Sequence, residues 1–319
     1  MSLKPIIKRK ANSLLPLAMM QFAHLRHISG WKDLIGHIMA DRIANKIKLN
    51  SCAHLFLIAG LPKSGTTWLE QLLACTPGLV KLNGSTLRNY PRKIKLNHPH
   101  DIDSSMVKCA PQDKLSFLKL HLNPYHDNLK ILDENNIRTI VLIRDLRDVL
   151  ISHYFHNLND SESFNHYHVK NLPRDEAFLA SIKSYHPNNS VPIIDYYSQW
   201  IRGWLKRSRE NPENTLLIRY EEMHKDIENV LSKIFEFYGY DITIDEIKKI
   251  IIKQELRHKD DKKKSLKENF NKKGNLKSTF RSGKINQWKD FYTKNEISFI
   301  KQNIKEILIE SGYEENDSW

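Results

Sequence analysis

Three features of this 319-residue chain predict an α/β fold with a central, mainly parallel sheet flanked by helices. Short apolar runs alternate with longer helical patterns, the runs end in Gly or polar residues, and helix-start signals follow them. The first run, residues 54–60, is a buried-strand candidate, apolar without a break from Leu55 to Ala59. A Gly/Ser/Thr loop follows it, then an apolar-periodic helix from Trp68 to Cys75 that Pro77 and Gly78 stop. Residues 116–121 form the second strand candidate. Residues 138–143 form the third, β-branched and continuous, after which Asp145 is placed to N-cap a helix running to about Asn157. Residues 215–220 form the fourth, and Met223 to Tyr238 reads as a helix. Strand–helix–strand succession implies right-handed crossovers with helices on both faces. The polar stretches 84–113, 157–190 and 257–280 lack periodicity and read as long loops covering the active site. Residues 51–319 form one domain in this reading, preceded by a basic, helical extension over 1–50.

Charge narrows the function. The net charge of +13 invites a basic nucleic-acid-binding protein, but its distribution disfavours that alternative. Residues 1–10 carry Lys4, Lys8, Arg9 and Lys10 with no acid, and 257–277 carry nine Lys or Arg against Asp260, Asp261 and Glu268. These two segments supply most of the excess, so no broad basic stripe is left for a duplex. The second segment suits a lid over a polyanionic ligand. Cys52, Cys75 and Cys109 form neither a disulfide framework nor a zinc pattern, and they suit a reducing compartment. No run approaches the ~20 apolar residues that span a bilayer. The expectation is a cytoplasmic protein without a stable membrane anchor.

The loop between the first strand and its helix carries the chemistry. Gly60 and Gly65 have the spacing of a nucleotide P-loop, G-x-x-x-x-G-K-[ST], and Thr67 fills its final hydroxyl position. The lysine position holds Thr66, however, and the loop's lysine is Lys63. Backbone N–H groups at a helix N-terminus still suit a phosphate there. The third strand ends in Arg144, where a nucleotide hydrolase would want a carboxylate for Mg²⁺. Both changes point to an anionic, nucleotide-like ligand handled without metal. A P-loop-like kinase or NTPase stays as the alternative enzyme.

Residues 62–68 resemble the 5′-phosphosulfate loop of the PAPS-dependent sulfotransferases of the cytosolic type, PAPS being 3′-phosphoadenosine-5′-phosphosulfate. Residues 144–154 resemble that family's 3′-phosphate motif, 217–223 its tyrosine-acid segment and 281–289 its C-terminal loop, in the family's order. The resemblance spans about residues 54–295. It implies a P-loop NTPase-like fold and transfer of the sulfuryl group from PAPS, leaving PAP, to a hydroxyl or an amine of a small soluble acceptor. It further implies that Lys63 contacts the bridging oxygen while Ser64, Gly65, Thr66 and Thr67 hold the 5′ end. Trp68 is implied to stack on adenine with Tyr220 nearby. Arg144, Ser152, Arg281, Ser282 and Gly283 are implied at the 3′-phosphate. Arg's planar fork suits such a dianion. Ser152 lies roughly 10 Å along its helix at 1.5 Å per residue, so Arg144 must reach toward it for the two to share a phosphate.

His121 stands out among 15 histidines because it ends a strand, where α/β sheets face their ligands. The resemblance implies that it is the base removing the acceptor's proton, with Lys119 on the same strand face supporting developing charge. The pattern also departs from the family. Leu120 replaces a threonine, Ser282 a lysine, Asn286 a glycine and Gln287 an aspartate. Asn tolerates the left-handed backbone that glycine supplies, so the turn at Asn286 should survive. The family's dimer motif is degraded, with Lys294 and Ser298 at two of its positions. A monomer or a non-standard dimer is expected. Glu162, Asp175 and Glu176 are candidates to meet a cationic acceptor.

Overall fold

In the computed structural model, residues 55–82, 100–108, 110, 115–185, 191–271 (backbone alone from 259 in that span) and 283–319 are described. Five strands form one sheet: β1 Leu55–Gly60, β2 Leu79–Leu82, β3 Leu115–Leu120, β4 Thr139–Ile143 and β5 Thr215–Arg219. All pairings are parallel, in the order β2-β3-β1-β4-β5. The central strand is buried throughout, as its unbroken apolar run requires.

Alternation along β1 sorts the core into two layers. Leu55, Leu57 and Ala59 face one cluster, and Phe56 and Ile58 face the other. Helix α1 (Thr66–Leu73) covers the second face with Leu69, Leu72 and Leu73. The first face is covered by α4 (Leu146–Asn159) and, further along, α7 (Ile193–Glu210), whose Trp200 and Trp204 donate their indole N–H groups to the Leu122 carbonyl. Short helices α2 (Ser104–Lys108) and α3 (His126–Glu134) precede β4, and α5 (His166–Lys170) and α6 (Arg174–Lys183) lie between α4 and α7.

Asp145 caps α4 as expected, accepting from the Arg147 N–H at 2.9 Å. Three expectations need correction. The helix read from Met223 to Tyr238 is two, α8 (Tyr220–Lys225) and α9 (Ile227–Tyr238), because Asp226 starts a new helix by accepting from the Asn229 N–H. The stretch 157–190 is no continuous loop, since α5 and α6 occupy much of it. The basic segment from 257 continues a 28-residue helix, α10 (Ile244–Asn271), whose Ile247, Ile250 and Gln254 are buried at helical spacing. Its Lys-, Gln- and Glu-rich sequence favours helix even where no apolar stripe marks it. Two C-terminal helices follow, α11 (Trp288–Phe291) and α12 (Lys294–Glu310), the latter opened by a capping box between Thr293 and Glu296. The expected extension over 1–50 and most of the stretch 84–113 lie outside the described residues.

The sheet order brings four strand ends together. Ala59 is level with Leu120, and Gly60 with Leu142. His121 follows β3 directly, Arg144 follows β4 and Tyr220 follows β5, so all three stand at the carboxyl edge beside Gly60.

Candidate active site

The loop from Gly60 to Gly65 is set by close backbone packing. A Cβ at Gly60 would lie 1.8 Å from Thr66 Cγ2. Gly65 caps α1 at φ 87, and a Cβ there would lie 2.4 Å from the Tyr220 ring. Lys63 also has positive φ, at 70. That conformation costs a non-glycine residue of order 1–2 kcal/mol and marks a loop held by its surroundings. Ser64 supplies part of the hold: its hydroxyl lies 2.6 Å from the Leu61 carbonyl and 3.1 Å from the Leu142 carbonyl, and it is fully buried. The Ser64 hydroxyl therefore braces the loop against β4. Thr66 is buried and Thr67 exposed, at the start of the first turn of α1, in which the Trp68 and Leu69 N–H groups donate to the Gly65 carbonyl at 2.9 and 3.3 Å.

Arg144 joins three segments at the edge. Its Nη2 donates to Asp148 Oδ2 at 3.2 Å and to the Lys284 carbonyl at 2.7 Å, and Nη1 donates to the Lys63 carbonyl at 3.4 Å. The guanidinium lies 4.5 Å from the Tyr220 ring centroid. Its Nε is buried without a hydrogen-bond partner among the described residues. The guanidinium thus lies beside the first turn of α4, at Asp148. Burial pushes the Asp148 carboxyl up, while Arg144 acts in the opposite sense. The second Asp148 oxygen accepts from the Trp288 N–H at 3.1 Å.

An aromatic group stands beside this centre. Trp68 and Tyr220 meet edge to face with centroids 6.0 Å apart, and the Tyr220 hydroxyl donates to the Gly283 carbonyl at 2.8 Å. His224, which the sequence reading passed over, lies 5.1 Å from Trp68 and 4.6 Å from Tyr220. Burial and then Arg144 hold its imidazole below the ordinary value. Its signal was available: Tyr220 and His224 are four residues apart on one helix. Gly283 has φ 64 and Asn286 φ 58, so Asn286 takes the left-handed backbone expected of it. Arg281 and Ser282 lie outside the described residues.

His121 sits on the other side of Gly60. Its Nδ1 lies 2.6 Å from the Gly60 carbonyl, which can only accept, so Nδ1 carries the proton and Nε2 is left with its lone pair. Burial lowers its pKa to about 4, with Lys119 and Lys63 adding to the effect. Burial also holds the Lys63 ammonium below the ordinary lysine value, partly offset by Asp160. Lys119 pairs with Glu70 Oε2 at 3.6 Å, and Glu70 also holds Lys81 at 3.0 Å. His100 packs edge-on to His121 at 5.0 Å. His153 and His166 are instead held by Asn157 and Tyr197 within the helical layer.

Asp145 is committed elsewhere. Besides capping α4 it pairs with Arg147 at 2.7 Å. Among the described residues, no group of three His, Cys, Asp or Glu side chains is placed to hold a metal ion.

Comparison with known proteins decides the family. A family model described as "Sulfotransferase domain" matches residues 54–312. The chain belongs to the sulfotransferase family. It is 26% identical over 270 residues to a flavonol 4′-sulfotransferase of Flaveria chlorifolia, covering 80% of this chain and 79% of that one. It is 28% identical over 276 residues to a flavonol 3-sulfotransferase of Flaveria bidentis, covering 80% and 82%. The fold is similar to that of a mouse sulfotransferase solved with PAP, at a TM-score of 0.57 and 20% identity over 88% of this chain and 92% of that one. The sulfotransferase fold thus carries the α/β core described above. No described helix is long and apolar enough to cross a membrane.

Proposed function

We propose that this sulfotransferase moves the sulfuryl group of PAPS to a hydroxyl of a small soluble acceptor, with an amine as the other acceptor class. The observation that carries this is the convergence at one sheet edge of His121 with its Nε2 lone pair, a partly desolvated Lys63 and a buried Arg144. The residues present fit the donor. Tyr220, Trp68 and His224 make an aromatic site for a purine, and the N–H groups at the start of α1 suit a 5′-phosphosulfate. For a 3′-phosphate, Arg144 and the backbone near Gly283 stand together beside Tyr220, and the family resemblance adds Ser152, Arg281 and Ser282. The mouse neighbour, solved with PAP, supports the same ligand chemistry through its fold alone.

In this mechanism His121 Nε2 accepts the acceptor's proton as the acceptor oxygen bonds to sulfur. The bond from sulfur to the 5′-phosphate oxygen breaks in the same displacement, and PAP departs with the electron pair. Lys63 and the loop N–H groups stabilise the charge that grows on that oxygen. The Gly60 carbonyl keeps the imidazole in the accepting tautomer and so orients the base. Lys119, paired with Glu70, adds positive charge beside His121 and is the third catalytic candidate. No step requires a metal.

The names of the Flaveria relatives support a small-molecule acceptor. The reading further takes residues 51–319 as a single domain that is cytoplasmic, is a monomer or a non-standard dimer, and binds no nucleic acid. Incubation with PAPS and a panel of phenols, alcohols and amines, followed by PAP release and product mass, tests it. Stoichiometric PAP and a product heavier by one sulfuryl group are expected; an ATP and Mg²⁺ requirement with no use of PAPS would overturn it.

A further inference from the structure

Residues 313–319 lie beyond the stretch that the family model matches, yet they pack onto the elements that form the donor site. Gly312, at φ 74, turns the chain out of α12, and the Ser311 carbonyl accepts from Arg219 Nη2 at 2.7 Å, at the end of β5. The Tyr313 hydroxyl then donates to Glu221 Oε2 at 2.8 Å, while Glu221 Oε1 accepts from the Asp145 N–H at 3.2 Å. One carboxylate next to Tyr220 therefore links the end of β4 to this segment. Glu314 pairs with Arg147 Nη1 at 2.5 Å. Arg147 is 2% exposed and packs against two indoles, 3.8 Å from Trp288 and 4.5 Å from Trp319. The indoles themselves meet edge to face at 5.6 Å, and Lys301 Nζ donates to the Trp319 carbonyl oxygen at 2.6 Å.

The consequence falls on the segment that closes over Arg144. Trp288 is held at its backbone N–H by Asp148 and at its ring by Arg147 and Trp319. A few residues upstream, Gly283 receives the Tyr220 hydroxyl and Lys284 receives Arg144. Holding Trp288 thus holds the backbone that orients both donor-site side chains. We infer that residues 313–319 form a clasp, with Trp319, Glu314 and Tyr313 as positioning residues that set the affinity of the donor nucleotide site. None of the three touches the reacting atoms; they act through Arg147, Trp288 and Glu221. The inference rests on the donor reading given above. Cation–π and charge-assisted contacts of this kind, partly buried, are each strong enough to shift a loop equilibrium.

The test uses the full chain carrying Trp319→Ala, Trp319→Phe, Glu314→Gln or Tyr313→Phe. PAP and adenosine 5′-monophosphate binding, steady-state kinetics with PAPS, and amide hydrogen exchange over residues 283–292 are measured for each. For Trp319→Ala the KM for PAPS and the Kd for PAP should rise about tenfold, with kcat changed by less than about twofold. Exchange over 283–292 should quicken, and Trp319→Phe should restore most of both. Glu314→Gln and Tyr313→Phe, which remove single polar contacts, should move the same quantities by smaller factors and serve if Trp319→Ala does not fold. Variants that lose melting temperature while PAP affinity and 283–292 exchange stay at wild-type values would overturn the clasp. A wild-type protein that binds PAP no better than adenosine 5′-monophosphate would overturn the donor reading instead, and the exchange data would still report whether the segment is clasped.

Discussion

His121 Nδ1 donates to the carbonyl of Gly60 at 2.6 Å, so the strand that launches the anion loop also fixes the imidazole beside it. The register makes this unavoidable: Leu120 is level with Ala59, and the next residue on each strand meets at the sheet edge. The bond leaves Nε2 as the lone-pair nitrogen.

His121→Ala should lower kcat by about 10²–10⁴-fold while PAP binding stays near wild type. The pH profile carries a sharper signature. The folded pKa is depressed, so the neutral, accepting form persists down to about 4. Rate against pH should therefore stay level from about pH 8 to pH 5, where an ordinary histidine would already have lost activity. An acid limb centred near 6.5 would contradict the burial argument.

Lys63→Met should lower kcat by about 10²–10³-fold, the usual effect of removing one charge-stabilising donor from a transition state. Because burial depresses its pKa, the ammonium is lost at lower pH than that of an exposed lysine. The alkaline fall in kcat should begin correspondingly early and vanish in Lys63→Arg. Steady-state kinetics across pH on the two variants check this.

Gly65→Ala combines a left-handed backbone with a Cβ 2.4 Å from the Tyr220 ring. The conformation alone costs about 1–2 kcal/mol, and the ring must also move. Both a lower melting temperature and a weaker Kd for PAP are expected, measured by calorimetry. A variant with wild-type values for both would show that Tyr220 does not pack against this loop.

His224→Ala should weaken PAP and adenosine 5′-monophosphate equally, by about three- to tenfold, because it removes one wall beside Trp68 and Tyr220 and no anion contact. Unequal losses in titrations with the two nucleotides would place His224 at a phosphate instead.

Much of the fold was legible because parallel strands buried on both faces leave continuous apolar runs, and Asp145 left a cap signal. The four-residue strand β2 left none, and α10 was missed because its charged stretch lacks an apolar stripe. That Lys63, Arg144 and His121 follow strands was readable from the apolar runs, and the sheet order brings those strand ends together, while their roles rest on the family resemblance. The inward turn of the Ser64 hydroxyl was not legible, because a hydroxyl in an anion loop can equally face outward and the packing of β4 decides which. The Glu70–Lys119 pair joins elements distant in sequence, which local patterns do not encode, whereas His224 was open to the four-residue spacing from Tyr220.

The most direct test of the donor site is the affinity of the wild-type protein for PAP against adenosine 5′-monophosphate, repeated with Arg144→Gln. The account predicts that the 3′-phosphate tightens wild-type binding by about 10²-fold and that Arg144→Gln removes most of that ratio. Equal wild-type affinities, or a ratio unchanged in the variant, would contradict it.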